Sequence, residues 1–193
     1  VTEREPKNAL AWLRLASAAA GAGRVDEALR IERSVAEAEG TPGPDDPRRV
    51  ARLLSAARLA RLMAVPPAVG AGESGKELTE SVTRKLKELQ LFRGPGTLVL
   101  LTWEDLSANL ELAAKKDGTD AAIGERADAA TAGLSGVLLG VGDDGVVLEA
   151  RVRSVAASRP MKLMRHDIRF DGKGFTVEVK AVELPAEASA MGI

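Results

Sequence analysis

The chain of 193 residues contains no cysteine, no tyrosine and one histidine, and aromatic residues make up 3% of it. The absence of cysteine excludes disulfide bonds, thiol nucleophiles and cysteine-based zinc sites, while it leaves both the cytoplasm and the bacterial periplasm open. Long apolar runs are also absent, because no stretch approaches the roughly 20 residues that span a bilayer. The N-terminus lacks the features of a signal peptide. The sequence therefore predicts no direct membrane insertion.

The chain also lacks an excess of charge of either sign. It has 27 basic and 28 acidic residues, which gives a formal net charge of −1. Binding driven by net charge to nucleic acid or to an anionic membrane is therefore not expected. The length allows one large domain or two small ones.

The composition divides the chain into a helical part and a β part. The first part is rich in Ala, Leu and Arg at helical spacing, and the last part alternates Val with polar residues between Asp/Gly turns. The stretch "AVPPAVGAGESG" between them is typical of a linker. The sequence predicts an α+β protein of two domains, divided into a helical region 1–66, a linker 67–76, a connecting helix 77–92, an antiparallel β-sandwich 93–185 and a tail 186–193.

Large and small apolar residues recur near the N-terminus at the spacing of two closely packed helices. They are Trp12, Leu15, Ala16, Ala19, Gly23 and Ala28. With these residues in place, the segment 9–62 resembles a tetratricopeptide repeat. Glu32 departs from the pattern, since the family prefers an aromatic there, and Gly40 stands where it prefers proline. The resemblance implies a helical hairpin from a longer repeat array, because Pro6 falls where a preceding repeat would end.

A third helix is predicted after Asp46, a plausible N-cap followed by Pro47 at the first helical position. It would act as the capping helix that closes a repeat array. Its arginines either form an ordinary solvated surface or bind a partner with acidic groups. These candidate partner-binding residues are Arg48, Arg49, Arg52, Arg58 and Arg61.

The stretch "GAGESGKE" at residues 70–77 has the glycine and lysine spacing of a phosphate-binding loop. Glu77 occupies the position of the magnesium-binding hydroxyl. Pro66 and Pro67 stand where a central strand should lead into the loop, and proline cannot donate to a strand ladder. The context favours a linker, with a nucleotide-binding switch as an alternative hypothesis.

The stretch "GVGDDG" at residues 140–145 has the glycine spacing of a dinucleotide-binding loop. The segment that follows it alternates apolar and polar residues, so a strand follows instead of the required helix. Asp143, Asp144 and Gly145 are typical of a turn. The sequence predicts a hairpin turn here.

Six strands with short connections are predicted in the β part. They lie at "TLVLLTW", "ANLELAA", "LSGVLLGV", "VVLEARVRSV", "MKLMRHDIRF" and "FTVEVKAVEL". The last two are joined by the turn "DGKG", and "DGTDAAIGERADAATAG" is predicted to be a long loop. This succession favours an antiparallel sandwich or barrel of about ninety residues.

Within the β part, "LTWEDLSANLELAAKKDG" resembles a β-sandwich module of bacterial envelope proteins that carry von Willebrand A domains or helical repeats. Leu101, Thr102, Trp103 and Leu112 match its motif. The resemblance implies a place in an envelope protein. It also implies a degraded ligand or metal site, because the family's two aspartates and histidine are replaced here by Asn109, Glu111 and Ala113.

The residue types of catalytic and metal sites do not converge in this sequence. His166 and Asp167 are adjacent in a predicted strand, so their side chains should point to opposite faces and cannot form a dyad. Oxygen donors that could hold calcium cluster before and within the second predicted strand, at Glu104, Asp105, Asn109 and Glu111. The sequence predicts no enzyme and no cofactor, with calcium or carbohydrate binding as an alternative.

These observations together predict a non-enzymatic scaffold module that binds another protein. The resemblances place it at the C-terminal part of a longer bacterial repeat protein that acts in assembly of an envelope or surface complex. They favour the periplasm or cell envelope over the cytoplasm. The partner and the oligomeric state are left open by the sequence.

Overall fold

A computed structural model describes residues 8–38, 46–65, 75–103, 108–121, 125–129, 133–140, 143, 145–153 and 160–193. Within these ranges the chain forms four helices, followed by nine strands. The helices are α1 (Ala9–Gly21), α2 (Val25–Ala36), α3 (Pro47–Ala64) and α4 (Gly75–Glu88). The strands are β1 (Gly96–Trp103), β2 (Leu110–Lys116), β3 (Thr119–Asp120), β4 (Glu125–Ala129), β5 (Leu134–Gly140), β6 (Val147–Val152), β7 (Met161–Phe170), β8 (Phe175–Leu184) and β9 (Ala190–Gly192).

Polar side chains cap the N-termini of two of the helices. The Asn8 side chain accepts a hydrogen bond from the Ala11 amide at 3.1 Å at the start of α1. At the start of α3, Asp46 accepts one from the Arg48 amide at 3.0 Å, and Pro47 follows the cap. The predicted N-cap is confirmed, because an acceptor at this position satisfies an amide that has no partner within the helix.

Small residues let the first two helices approach closely. Ala16 and Ala19 of α1 meet Ala28 of α2, and all three are fully buried. Helix α2 then packs on α3, and α3 packs on α4. Among the described residues, none of the helices is both long and apolar enough to cross a membrane.

The strands form two antiparallel sheets. The first has the order β4-β5-β1-β7-β8 and the second has the order β3-β2-β6-β9. Strand β1 lies at the centre of the first sheet, where it pairs with β5 on one side and β7 on the other. The second sheet is built around the β2–β6 pair, to which β9 adds on the outer side of β6.

Alternation along β1 shows how the layers stack. Leu98 and Leu100 belong to a buried cluster that includes residues of α3 and α4. Leu101 and Trp103 belong instead to a cluster shared with the second sheet. The first sheet therefore has apolar contacts on both faces, which explains why the strand is an almost continuous apolar run.

The α+β class is confirmed, with four helices preceding two antiparallel sheets. The division into two domains is not confirmed. Leu59 of α3 and Leu86 of α4 lie in the same buried cluster as Leu100 of β1 and Ile168 of β7. The helices and the first sheet therefore share an apolar core.

Three sequence predictions about connections need correction. The predicted long loop after β2 contains the strands β3 and β4, and the predicted tail contains β9. The predicted hairpin between β5 and β6 is wrong, because these strands belong to different sheets. Gly145 has a positive φ of 78° as predicted, while Gly142 and Asp144 lie outside the described residues. Turn chemistry identifies a change of chain direction but not the sheet that the chain enters next.

Candidate functional site

The five arginines predicted to bind a partner differ in exposure and in bonding. Arg48 binds the cap residue Asp46 at 2.8 Å, and its side chain is 20% exposed. Arg49 and Arg52 are half-buried, and Arg61 is exposed. Arg58 faces the interior, where its side chain is 16% exposed. The structure therefore places the predicted residues in different environments on α3 and leaves their role in partner binding a prediction.

Arg58 is part of a polar cluster that joins three helices. Its Nε donates to Glu32 at 2.6 Å, and its guanidinium also donates to Ser17 Oγ at 3.3 Å. Ser55 Oγ donates to the second oxygen of Glu32 at 2.9 Å. Since Ser17 lies on α1, Glu32 on α2 and the other two on α3, the four residues form what we call the interhelix cluster.

Glu32 is the fully buried member of the interhelix cluster. Burial raises the pKa of Glu32 above its usual value, and the charge of Arg58 together with hydrogen bonds from Arg58 and Ser55 opposes that rise. A carboxylate in this position requires a nearby counter-charge, because transfer of an isolated ion from water into the interior is costly. Arg58, on the next helix, supplies this counter-charge to Glu32.

His166 lies directly beneath α3, on the helix-facing side of β7. It pairs with Leu100 in the sheet register and is 3% exposed. Its Nε2 lies 3.0 Å from Thr102 Oγ1, whereas Nδ1 has no hydrogen-bond partner among the described residues. Burial, with smaller contributions from the positive charges of Arg61 and Arg58, lowers the pKa of His166 to about 4. The imidazole is therefore neutral near pH 7.

Asp167 points away from His166, as the strand alternation predicts. It pairs with Val99, which packs towards the second sheet, and its carboxylate binds Arg165 at 2.9 Å. The predicted orientation of His166 and Asp167 towards opposite faces of the sheet is confirmed. A buried neutral imidazole bonded to a threonine is better suited to packing than to proton transfer at neutral pH.

The environment of His166 predicts a lowered titration midpoint and a pH-dependent stability, and the NMR resonance of its imidazole can test the midpoint. Because this is the only histidine in the chain, its imidazole protons can be followed without assignment by NMR. We expect a midpoint near 4 in the folded protein. The unfolded chain binds this proton near pH 6.5, so the folded state loses stability as the pH falls from about 6.5 towards 4.

The stability lost on acidification should reach on the order of 3 kcal/mol, because each pKa unit corresponds to about 1.4 kcal/mol. Urea titrations of the native chain and of His166→Asn at several pH values isolate this contribution, since the other titrating groups are common to both. A resonance midpoint near pH 6.5 would contradict the assignment.

The outer face of the second sheet carries a second set of charged residues. Lys115 binds Glu149 at 2.8 Å, and Arg151 binds Glu149 at 2.6 Å. Arg151 also binds Asp120, and Arg153 binds Glu111. Hydrogen bonds from these cations lower the pKa of Glu149 and Asp120. The set contains as many acids as bases, and its members neutralise one another across neighbouring strands.

This arrangement bears on the alternative calcium site. Glu111 forms an ion pair with Arg153 and lies 4.0 Å from Arg151. Asn109 also interacts with a neighbouring group, and Glu104 and Asp105 lie outside the described residues. Within the part of the chain that the structure describes, no group of three or more potential metal ligands is found. Nothing on the described residues favours calcium at this position.

Most of the alternative nucleotide loop lies outside the described residues, which resume at Gly75 where α4 begins. The side chain of Lys76 is 86% exposed and lies 3.9 Å from Glu80, one turn along the helix. The surroundings of Lys76 are those of an ordinary helix surface. The nucleotide hypothesis remains an untested prediction.

Comparison with known proteins adds no family to these observations. The chain matches no protein-family model, no curated protein and no solved structure.

Proposed function

We propose that the chain is a non-enzymatic protein-interaction module, and the observation that carries this proposal is the composition of α1. This helix has 13 residues, with the sequence ALAWLRLASAAAG. Arg14 is its one charged side chain. A helix at the edge of a helical layer normally has charged residues on the side that faces water.

The apolar character of α1 extends to the side that α2 does not cover. Leu13, Ala16 and Ala19 are buried. Ala11 and Leu15 are only half-buried and Ala18 is exposed. The last three residues are spaced i, i+4 and i+7, which places them along one side of the helix, and the exposed Arg14 lies beside them, three positions from Ala11 and four from Ala18. They belong to none of the apolar clusters that the described residues form.

In this proposal the outer side of α1 receives an apolar helix from a further repeat or from a partner protein. Repeat arrays bury their apolar faces in this way, one unit against the next. Helices α1 and α2 would be a tetratricopeptide-like repeat, α3 its cap, and the two sheets a β-sandwich. The partner would be another protein, and assembly of a bacterial envelope or surface complex is the setting that the sequence resemblances favour.

Affinity capture from a bacterial envelope extract tests this function. The bait is the whole chain, compared with Ala18→Arg, which adds a second positive charge to the outer side of α1, one turn from Arg14. Ala64→Arg is the matched control, since Ala64 is an exposed alanine at the end of α3. We expect a protein captured by the native chain and by Ala64→Arg to be lost with Ala18→Arg. Equal capture by all three baits would contradict the proposal, provided that circular dichroism shows all three folded.

A further inference from the structure

The outermost strand of the first sheet has one open edge. Strand β8 runs for ten residues and pairs with β7 along its whole length. On its other side no strand of the described residues pairs with it. An edge of this length, about 33 Å, is a template for another strand unless the fold protects it.

The hairpin that leads into β8 determines which backbone groups face the open edge. At this turn the Asp171 amide donates to the Gly174 carbonyl at 3.3 Å. Hydrogen-bonded pairs recur at every second residue of an antiparallel ladder, so Thr176, Glu178 and Lys180 direct their backbone groups towards β7. Val177, Val179 and Ala181 consequently direct theirs outward.

The side chains of the strand alternate in the same period. Val177 and Val179 pack against the helix layer. Glu178 and Lys180 project from the opposite face, where their side chains are 59% and 57% exposed and form an ion pair at 2.8 Å. The middle of the open edge thus has one acid and one base placed symmetrically about Val179.

We propose that β8 pairs antiparallel with β8 of a second copy of the chain, about a two-fold axis at Val179. The outward amide and carbonyl of Val179 then bond those of the same residue in the second copy. On the exposed face, Glu178 lies opposite Lys180 of the second copy, and Lys180 lies opposite its Glu178. One axis therefore forms two complementary cross-strand pairs.

Other registers lose this complementarity. An axis at Val177 places Glu178 opposite Thr176, and an axis at Ala181 places Lys180 opposite Val182. An axis at Glu178 or Lys180 puts like charges face to face and presents the backbone groups that β7 already uses. The charge pattern therefore favours a second copy of the chain as the partner of β8. It also favours the register in which Val179 lies on the two-fold axis.

Charge reversals at these two positions test the pairing by sedimentation velocity over a range of concentrations. We expect the native chain to dimerise reversibly. Glu178→Lys and Lys180→Glu should each weaken the dimer about tenfold, because like charges come to lie opposite one another in both pairs. An equimolar mixture of the two variants should associate as a heterodimer with an affinity near that of the native homodimer. The double exchange Glu178→Lys, Lys180→Glu should restore the homodimer.

The matched control is Lys162→Glu, which changes the net charge equally at an exposed position of β7, away from the open edge. It should leave the dimer affinity unchanged. A native chain that stays monomeric at the highest soluble concentration would overturn the proposal and leave the edge for a strand of a different protein. Equal weakening by Lys162→Glu and Lys180→Glu, or no association in the mixture, would overturn it as well.

Discussion

Replacing Arg58 by methionine should lower the free energy of unfolding at pH 7 by about 3–5 kcal/mol, the range measured when one partner of a buried ion pair is removed. The substitution leaves the fully buried Glu32 without the guanidinium that binds it at 2.6 Å. Ser55 would then remain as the hydrogen-bond donor to Glu32 from α3. Urea denaturation followed by circular dichroism measures the loss.

The stability lost by Arg58→Met should be smaller in acid than at pH 7. The direction of this pH dependence follows from the pKa of Glu32. Burial raises this pKa in the native chain, and Arg58 opposes the rise. Without Arg58 the folded pKa rises further, so the protonated carboxyl is favoured over a wider range. A raised folded pKa contributes stability below the unfolded value near 4.3, which is lost as the pH rises through the folded value. The difference between Arg58→Met and the native chain should therefore shrink as the pH falls from 7 towards 5.

The double variant Glu32→Met, Arg58→Met is the control for this interpretation. Replacing both partners of a buried ion pair by apolar residues of similar volume is often neutral or stabilises a protein by about 1–4 kcal/mol. We expect the double variant to recover most of the stability lost by Arg58→Met. If the double variant were as unstable as the single one, the cost would come from lost packing of the Arg58 stem and not from an uncompensated charge.

Replacing Leu100 by alanine should lower the free energy of unfolding by about 2–5 kcal/mol, as in other large-to-small substitutions in cores. Leu100 is fully buried at the centre of the first sheet, in the cluster that also contains Leu59 and Leu86. Its neighbourhood is tightly packed, since a Cβ added to Gly136 on the adjacent strand would lie 2.6 Å from Leu100 Cδ2. The surroundings therefore have little freedom to fill the space left by the missing atoms.

This substitution also tests whether the helices and the sheets unfold together. The chain has two tryptophans, Trp12 in α1 and Trp103 in β1. In the variant Trp103→Phe the remaining Trp12 reports unfolding of the helices. In the variant Trp12→Phe the remaining Trp103 reports unfolding of the sheets. Because the Leu100 cluster runs from the sheet into α3 and α4, we expect Leu100→Ala to shift both fluorescence transitions equally.

Leu15→Ala is the matched control for the core substitution. Leu15 is half-buried and lies outside the buried clusters, so the same change there should cost less than about 1 kcal/mol. If Leu100→Ala shifted only the Trp103 transition, the helices would unfold independently of the sheets. The predicted two-domain division requires that result.

Strong local patterns account for the elements that the sequence predicted well. The bounds of β7 and β8 coincide with the predicted segments, because apolar residues recur along both and the turn "DGKG" separates them. At that turn Asp171 accepts hydrogen bonds from the Lys173 and Gly174 amides, both at 2.8 Å. The strands that the sequence did not predict, β3, β4 and β9, are short, with two, five and three residues.

The candidate site was less predictable, because its residues meet through long-range packing. Glu32 was recognised as a departure from the repeat pattern, yet its partner Arg58 is 26 positions further along the chain. Arg58 was grouped with the surface arginines because they recur along one helix. Only the packing of α2 on α3 distinguishes the arginine that binds Glu32 from the other arginines of the helix.

The sequence by itself determined the order of the four helices and of the six longest strands, the cap of α3 and the opposite orientations of His166 and Asp167, since each depends on neighbours within a few residues. Tertiary structure alone decided that β5 and β6 enter different sheets, that α3 covers His166 and that Glu32 meets Arg58. These outcomes depend on which apolar faces bury each other. That choice is a property of the whole chain, because each face could be covered by several elements and local patterns do not distinguish among them.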